Sequence, residues 1–217
     1  MIRLIALFCA LAAASPAAAK PRAVSLDYCA DQYLLKLGDD NQILAVSRGA
    51  DKDYSHLSAQ GALQERIRPT QEEVLMRAPD IILRQWGGGA NAEKAFGAHG
   101  ARVVSLGYPE DFGGVRDNIR LVAEALDQED RGEALVAEMD SRLAALASAP
   151  QAKTRALYVT PGGVTAGAHT MIDAVISAAG LVNIAAEQGK SYWPPLPVEQ
   201  VLLAPPAFIV GGFFLSR

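Results

Sequence analysis

Few side chains in this sequence are set up for covalent chemistry. The three histidines, His56, His99 and His169, lie far apart in the chain and lack the close spacing that a protein metal site requires. The glycine-rich runs WGGGAN (86–91) and TPGGVTAG (160–167) match neither GxGxxG nor GxxxxGK[ST], and there is no GxSxG, so phosphate cradles and serine nucleophiles find no support. Cys29 has no histidine near it in sequence and reads as a small buried residue at a strand–helix join. The chain is therefore read as a non-enzyme. What remains is aromatic: Tyr54, Trp86, Tyr108, Tyr192 and Trp193 all fall in loop-like stretches. Aromatic faces with a few polar contacts hold a large flat ligand without covalent chemistry. Trp86 follows the apolar run DIILRQ (80–85), and Trp193 sits in KSYWPPLP (190–197). Arg84 is placed either to meet a carboxylate or phosphate or to stay solvated. Gly87–Gly89 either admits a ligand close to the backbone or forms a flexible loop.

Two acidic residues stand out by repetition. EEVLMRAPDIIL (72–83) and EQVLLAPPAFIV (199–210) align Glu72 with Glu199, Val74 with Val201, Leu75 with Leu202, Pro79 with Pro206 and Ile82 with Ile209. Each reads as a helix end, a proline and a buried strand. An acidic residue in a first helical turn ordinarily complements the helix dipole for about 0.3–1 kcal/mol. A second echo, ADQYLLKLG (30–38) against IDAVISAAG (172–180), occurs in the same order, as a duplicated lobe would produce.

The elements that must position these residues follow from the periodicity. Residues 1–19, MIRLIALFCALAAASPAAA, combine Arg3, an apolar run and a small-residue end, the pattern of a cleavable secretory signal; the run is too short to span a bilayer. Residues 20–112 alternate strands (22–28, 43–47, 80–85, 101–107) with helices (29–38, 70–78, 93–100), and 48–66 read as polar and irregular. Gly38, after the last apolar residue of its helix, reads as a stop signal. Residues 113–150 show no strand signal: Ile119, Val122 and Leu126 form one helical stripe and Leu135, Met139, Leu143 and Leu146 another. The second helix, at about 1.5 Å per residue, spans roughly 30 Å. Residues 151–217 return to the α/β pattern. The fold class is α/β, with mainly parallel central sheets in two lobes joined by a long interlobe helix. The second lobe, shorter than the first, is expected to be incomplete and to leave apolar sheet surface uncovered. Ligands of such sheets bind beyond the carboxyl ends of the strands, so facing lobes form a cleft and place one glutamate each on the surface.

A net charge of −4, more negative still once Arg3 leaves with the signal, excludes a basic nucleic-acid face. Cys29 alone remains after cleavage, so no internal disulfide forms, and stability must come from a hydrophobic core of about 200 residues.

With RAVSLDYCADQYLLKLGDDNQILAVS, RPTQEEVLMRAPDIIL followed by WGGGAN, the long helix and LPVEQVLLAPPAFIV, nearly the whole chain resembles the periplasmic substrate-binding proteins of ABC importers, in the group that takes vitamin B12, ferric siderophores or haem. The resemblance implies a monomeric periplasmic protein without a cofactor of its own. It would hold a metal chelate, cobalamin or a ferric siderophore, between Tyr54, Trp86, Tyr108, Tyr192 and Trp193. It further implies docking on the importer's membrane subunits through Glu72 and Glu199, with Glu73 a rival for the first. A haem-binding member would use one axial ligand among Tyr54, His56 and His169. An exported enzyme or interaction domain is the alternative outside the family. A helical bridge implies little hinge motion.

Overall fold

The structure, a computed structural model, describes residues 19–150, 153–196, 198–203 and 205–211; apart from Ala19, the signal segment read over 1–19 lies outside them. The first sheet is built from β1 (Ala23–Ser25), β2 (Ile43–Ser47), β3 (Arg66–Ile67), β4 (Ile81–Arg84) and β5 (Arg102–Ser105), in the order β3-β2-β1-β4-β5 with every pairing parallel. Parallel neighbours need crossovers, and the helices α1 (Tyr28–Leu37), α2 (Ser58–Gly61), α3 (Gln71–Leu75) and α4 (Ala92–Gly97) lie in those connections. α2 and β3 occupy the stretch that the sequence left irregular, and α3 ends three residues earlier than its pattern suggests. Such short elements carry no period to read.

Both faces of this sheet are covered, which is why its strands are continuous apolar runs. On one side Leu34 and Leu37 of α1 meet Ile119, Val122 and Leu126 of the following helical segment; on the other, Val74 of α3 and Phe96 of α4 close over Val24 and Ile82. Gly38 ends α1 for a different reason from the one its position suggests. Its backbone is extended (φ −72°), but a Cβ there would come within 2.9 Å of the Leu34 carbonyl oxygen and 3.3 Å of Ile43. At the equivalent place in the second lobe, Gly180 does adopt the left-handed conformation (φ +74°).

α5 (Phe112–Ala125) and α6 (Glu129–Ser148) follow, and α6 packs on α5 through Gly132 and Val136 and reaches on to the second lobe. An ion pair from Arg116 to Asp140 and a forked one from Arg120 to Glu133 (2.6 and 3.1 Å) tie the two helices together. A Cβ on Gly132 would lie 2.5 Å from that of Ala123. Gly132→Ala gains helix propensity of about 1 kcal/mol but must push two packed helices apart, a cost of about 1–3 kcal/mol. A net loss of about 1 kcal/mol is expected by denaturant unfolding, whereas a surface glycine with open space would give a gain.

The second sheet contains β6 (Thr154–Val159), β7 (Leu181–Asn183) and β8 (Phe208–Gly211) in the order β7-β6-β8, all parallel, with α7 (Met171–Ala178), α8 (Ile184–Glu187) and α9 (Val198–Leu203). The run LVNIA is thus half strand and half helix. Placing β6 on β1, β7 on β2 and β8 on β4 reproduces the central strands of the first sheet, with α7 in the place of α1 and α9 in that of α3. The two sequence echoes therefore mark one duplicated unit. The copies differ in burial: Ile81, Ile82 and Leu83 of β4 are buried, whereas Phe208, Ile209 and Val210 of β8 are exposed, as are Leu202 and Leu203 of α9. The expected buried strand over AFIV is not found, because β8 pairs only with β6 among the described residues while β4 also has β5 beside it.

Candidate functional site

The residues at the carboxyl ends of β1, β2 and β4 converge on one aromatic cluster. Tyr28, the first residue of α1, meets Tyr54 edge-on with ring centroids 5.0 Å apart and Trp86 at 5.7 Å. Trp86 and Tyr54 keep about half their surface exposed (48% and 54%), so the cluster is a wall open to solvent and not core. Tyr28 was not singled out from the sequence, although its place directly after a strand was the available signal. Cys29 is half-buried beside Tyr28 and Trp86, and burial pushes its thiol pKa up, which keeps it protonated and unreactive.

The second lobe carries a matching wall. Trp193 lies edge-on to Tyr158 of β6 at 6.2 Å, and Tyr192 stacks at a 30° tilt on His169 at 5.7 Å. Tyr158 likewise escaped notice, since it sits inside an apolar strand. The strip 190–194 is laced to 165–168: the Thr165 N–H donates to the Pro194 carbonyl (3.0 Å), the Gly167 N–H to that of Tyr192 (2.8 Å), and the Tyr192 N–H to that of Ala168 (2.8 Å). His169 and Tyr192 both take left-handed backbone conformations (φ 60° and 59°). Strain of this kind, of order 1 kcal/mol, persists where surrounding bonds fix it and gathers at binding sites. Tyr108, on the connection between β5 and α5, is exposed and has no ring partner among the described residues. Two residues on, Glu110 approaches His169 Nδ1 at 3.4 Å, so the rims of the two lobes meet there.

Arg84 bonds the carbonyls of its own loop. Its Nε donates to the Gly87 carbonyl (2.6 Å), and its Nη2 to those of Trp86 (3.3 Å) and Gly89 (3.1 Å). His56 stands apart from both walls. It lines a separate groove of about 520 Å³ between α1, α5 and α6, whose apolar sides include Leu135, Met139 and Leu143. That groove is where most of the predicted α6 stripe lies, and Leu146 is exposed. Among the described residues no group of three His, Cys, Asp or Glu side chains converges on a metal position, and no helix is long and apolar enough to cross a membrane.

The acidic pair at the start of α3 is asymmetric. Glu73 accepts from the Arg68 N–H (2.7 Å) and from its guanidinium, which hold its carboxyl below the ordinary pKa. Glu72 is exposed, and no hydrogen bond or ion pair engages its side chain among the described residues. Glu199 is exposed in the first turn of α9.

Residues 23–212 match the periplasmic binding protein family. Among curated proteins, a cobalamin-binding protein of Halobacterium salinarum is 28% identical over 204 residues, covering 90% of this chain and 55% of its own; the chain thus spans about half the length of the curated relatives it matches. The apo structure of the periplasmic heme-binding protein RhuT from Roseiflexus sp. RS-1 superposes with a TM-score of 0.74 at 25% identity, over 89% of this chain and 76% of that one. The vitamin B12 binding protein BtuF of Vibrio cholerae shares the fold, with a TM-score of 0.64 at 24% identity over 89% and 76% of the two chains.

Proposed function

From a chain that belongs to the periplasmic binding protein family, we propose a periplasmic solute-binding protein that captures a corrinoid between its two lobes and delivers it, as a monomer, to an ABC importer. The observation that carries this reading is the pair of aromatic walls, Tyr28, Tyr54 and Trp86 on one lobe and Tyr192 and Trp193, backed by buried Tyr158, on the other. A wide planar ligand presents two faces, and each wall offers exposed ring surface for one of them. The charge pattern points to cobalamin over an anionic chelate. Arg84 is bonded to carbonyls of its own loop and His169 faces Glu110, which weakens both as partners for a carboxylate or catecholate. The similarity to a cobalamin-binding protein supports the same choice. α6 bridges the lobes and limits closure, so recognition relies on preformed walls.

Titration of the purified chain with aquocobalamin, hemin and a ferric hydroxamate siderophore tests this. One-to-one saturation by aquocobalamin is expected, with little response to the others. Saturation by the siderophore alone would overturn the corrinoid assignment. A second reading, haem capture, has one observation in its favour: His169 and Tyr192 stand side by side at the rim. A hemin complex whose Soret band changes on His169→Ala would establish it.

A further inference from the structure

The loop that carries Trp86 is clamped from both sides of its backbone. Asp27 is 1% exposed. Its Oδ2 accepts from the N–H groups of Gln85 (2.8 Å), Trp86 (3.0 Å) and Gly87 (2.9 Å), while its Oδ1 caps α1 by accepting from the Ala30 N–H (3.0 Å). The carbonyls of Trp86, Gly87 and Gly89 turn the other way and accept from Arg84. One carboxylate and one guanidinium thus take up both backbone polar groups of Trp86 itself. Gly87 is pressed against β1's continuation: a Cβ there would sit 2.5 Å from the Leu26 carbonyl oxygen. Gly88 and Gly89 are both left-handed (φ 80° and 78°). The run of glycines is therefore a fixed turn and not a flexible loop.

The indole ring has no such enclosure. It is 48% exposed, and among the described residues it meets the edge of Tyr28 and the Cys29 thiol. Apart from these two edge contacts, its place in the wall is set through its backbone. We propose that Asp27 and Arg84 are positioning residues for ligand capture: they hold Trp86 in its binding pose before ligand arrives, without touching the ligand. This rests on the reading of Trp86 as a ligand wall. Charge-assisted hydrogen bonds suit the task because they are about twice as strong as neutral ones, and a wall ordered in advance spares the ordering cost at binding.

Asp27→Asn tests the clamp, since it keeps shape but turns an amide group toward backbone donors. In a Trp193→Phe background, where Trp86 alone fluoresces, acrylamide quenching should rise at least about twofold. The Trp193 signal in a Trp86→Phe background should not change on the same substitution. Affinity for aquocobalamin should fall by about fivefold to tenfold, with Arg84→Lys showing a smaller loss of the same kind. Equal loosening of both tryptophans would reveal a merely structural role and overturn the proposal, as would unchanged Trp86 quenching in folded protein. If Asp27→Asn does not fold, Arg84→Lys carries the same comparison outside the buried site. Should the unsubstituted protein bind no aquocobalamin, the corrinoid reading fails, while the quenching comparison still decides whether the clamp holds Trp86.

Discussion

Alanine at both Glu72 and Glu199 is expected to abolish delivery of bound ligand to the importer and to leave ligand affinity intact. The expectation comes from the duplicated unit. α3 follows β3 and leads to β4, α9 leads to β8, and β4 and β8 hold the same place beside β1 and β6. The glutamate at the head of each short helix is exposed, so one carboxylate stands on each lobe. Glu73 is the weaker candidate, because it is already bonded to Arg68; a docking cation would first have to displace that partner. Truncating one member of a desolvated charge pair costs about 2–5 kcal/mol, so losing two removes docking at any practical concentration. Glu73→Ala should instead loosen the join between β3 and α3 and leave docking in place. Reconstituted uptake together with a ligand titration separates the outcomes: weakened ligand binding in the double variant would contradict the docking role.

Asp31→Asn is expected to stabilise the protein at neutral pH. Asp31 is fully buried at the junction of β1, β2 and α1, where it accepts from the Ser25 hydroxyl, the Ser47 N–H (2.9 Å) and the Ser47 hydroxyl (2.6 Å). Burial pushes its carboxyl pKa up to about 6, against those hydrogen bonds and with a further push from neighbouring Asp27. The sign follows from proton binding. Below about pH 4 the carboxyl is protonated whether the chain is folded or not, and no penalty arises. Between about 4 and 6 the unfolded chain releases the proton and the folded chain keeps it, so stability falls as pH rises. Above 6 the full penalty, about 3 kcal/mol, is in place. Asparagine removes it while its amide can still accept from Ser25 and donate to the Ser47 oxygen. Chemical denaturation from pH 4 to pH 8 should therefore show the variant gaining on the parent protein through this window. A constant difference across that range would contradict the buried, protonated state. Asp39, held at about 2 by Gln128, Lys20 and Arg131, titrates below this window and does not confuse it.

The order of strands and helices could be read because glycine, proline and apolar period mark each boundary: Gly38 and Gly180 close α1 and α7, and Pro79 precedes β4. The repeat was visible for the same reason, since its two copies keep Pro79 and Pro206 in register. Much of the site was not visible. Tyr28 joins one wall and Tyr158, buried in the core of the second lobe, backs the other, yet neither position is marked by a local pattern. Arg84 read as either a ligand contact or a solvated side chain, because a strand end gives no hint of how a glycine turn folds back over it. Asp27 bonds the loop 58 to 60 residues further on, a distance over which no local pattern speaks. The exposure of β8 depends on which strand lies beside it, and so belongs to topology and not to the run AFIV.

On the proposed function, one ligand touches both walls at once. Aquocobalamin titrated into two single-tryptophan variants, Trp193→Phe reporting Trp86 and Trp86→Phe reporting Trp193, tests it most directly. Both signals should be quenched along the same curve, saturating at one equivalent. Quenching of one tryptophan alone, or two unrelated midpoints, would mean that the lobes do not share a ligand.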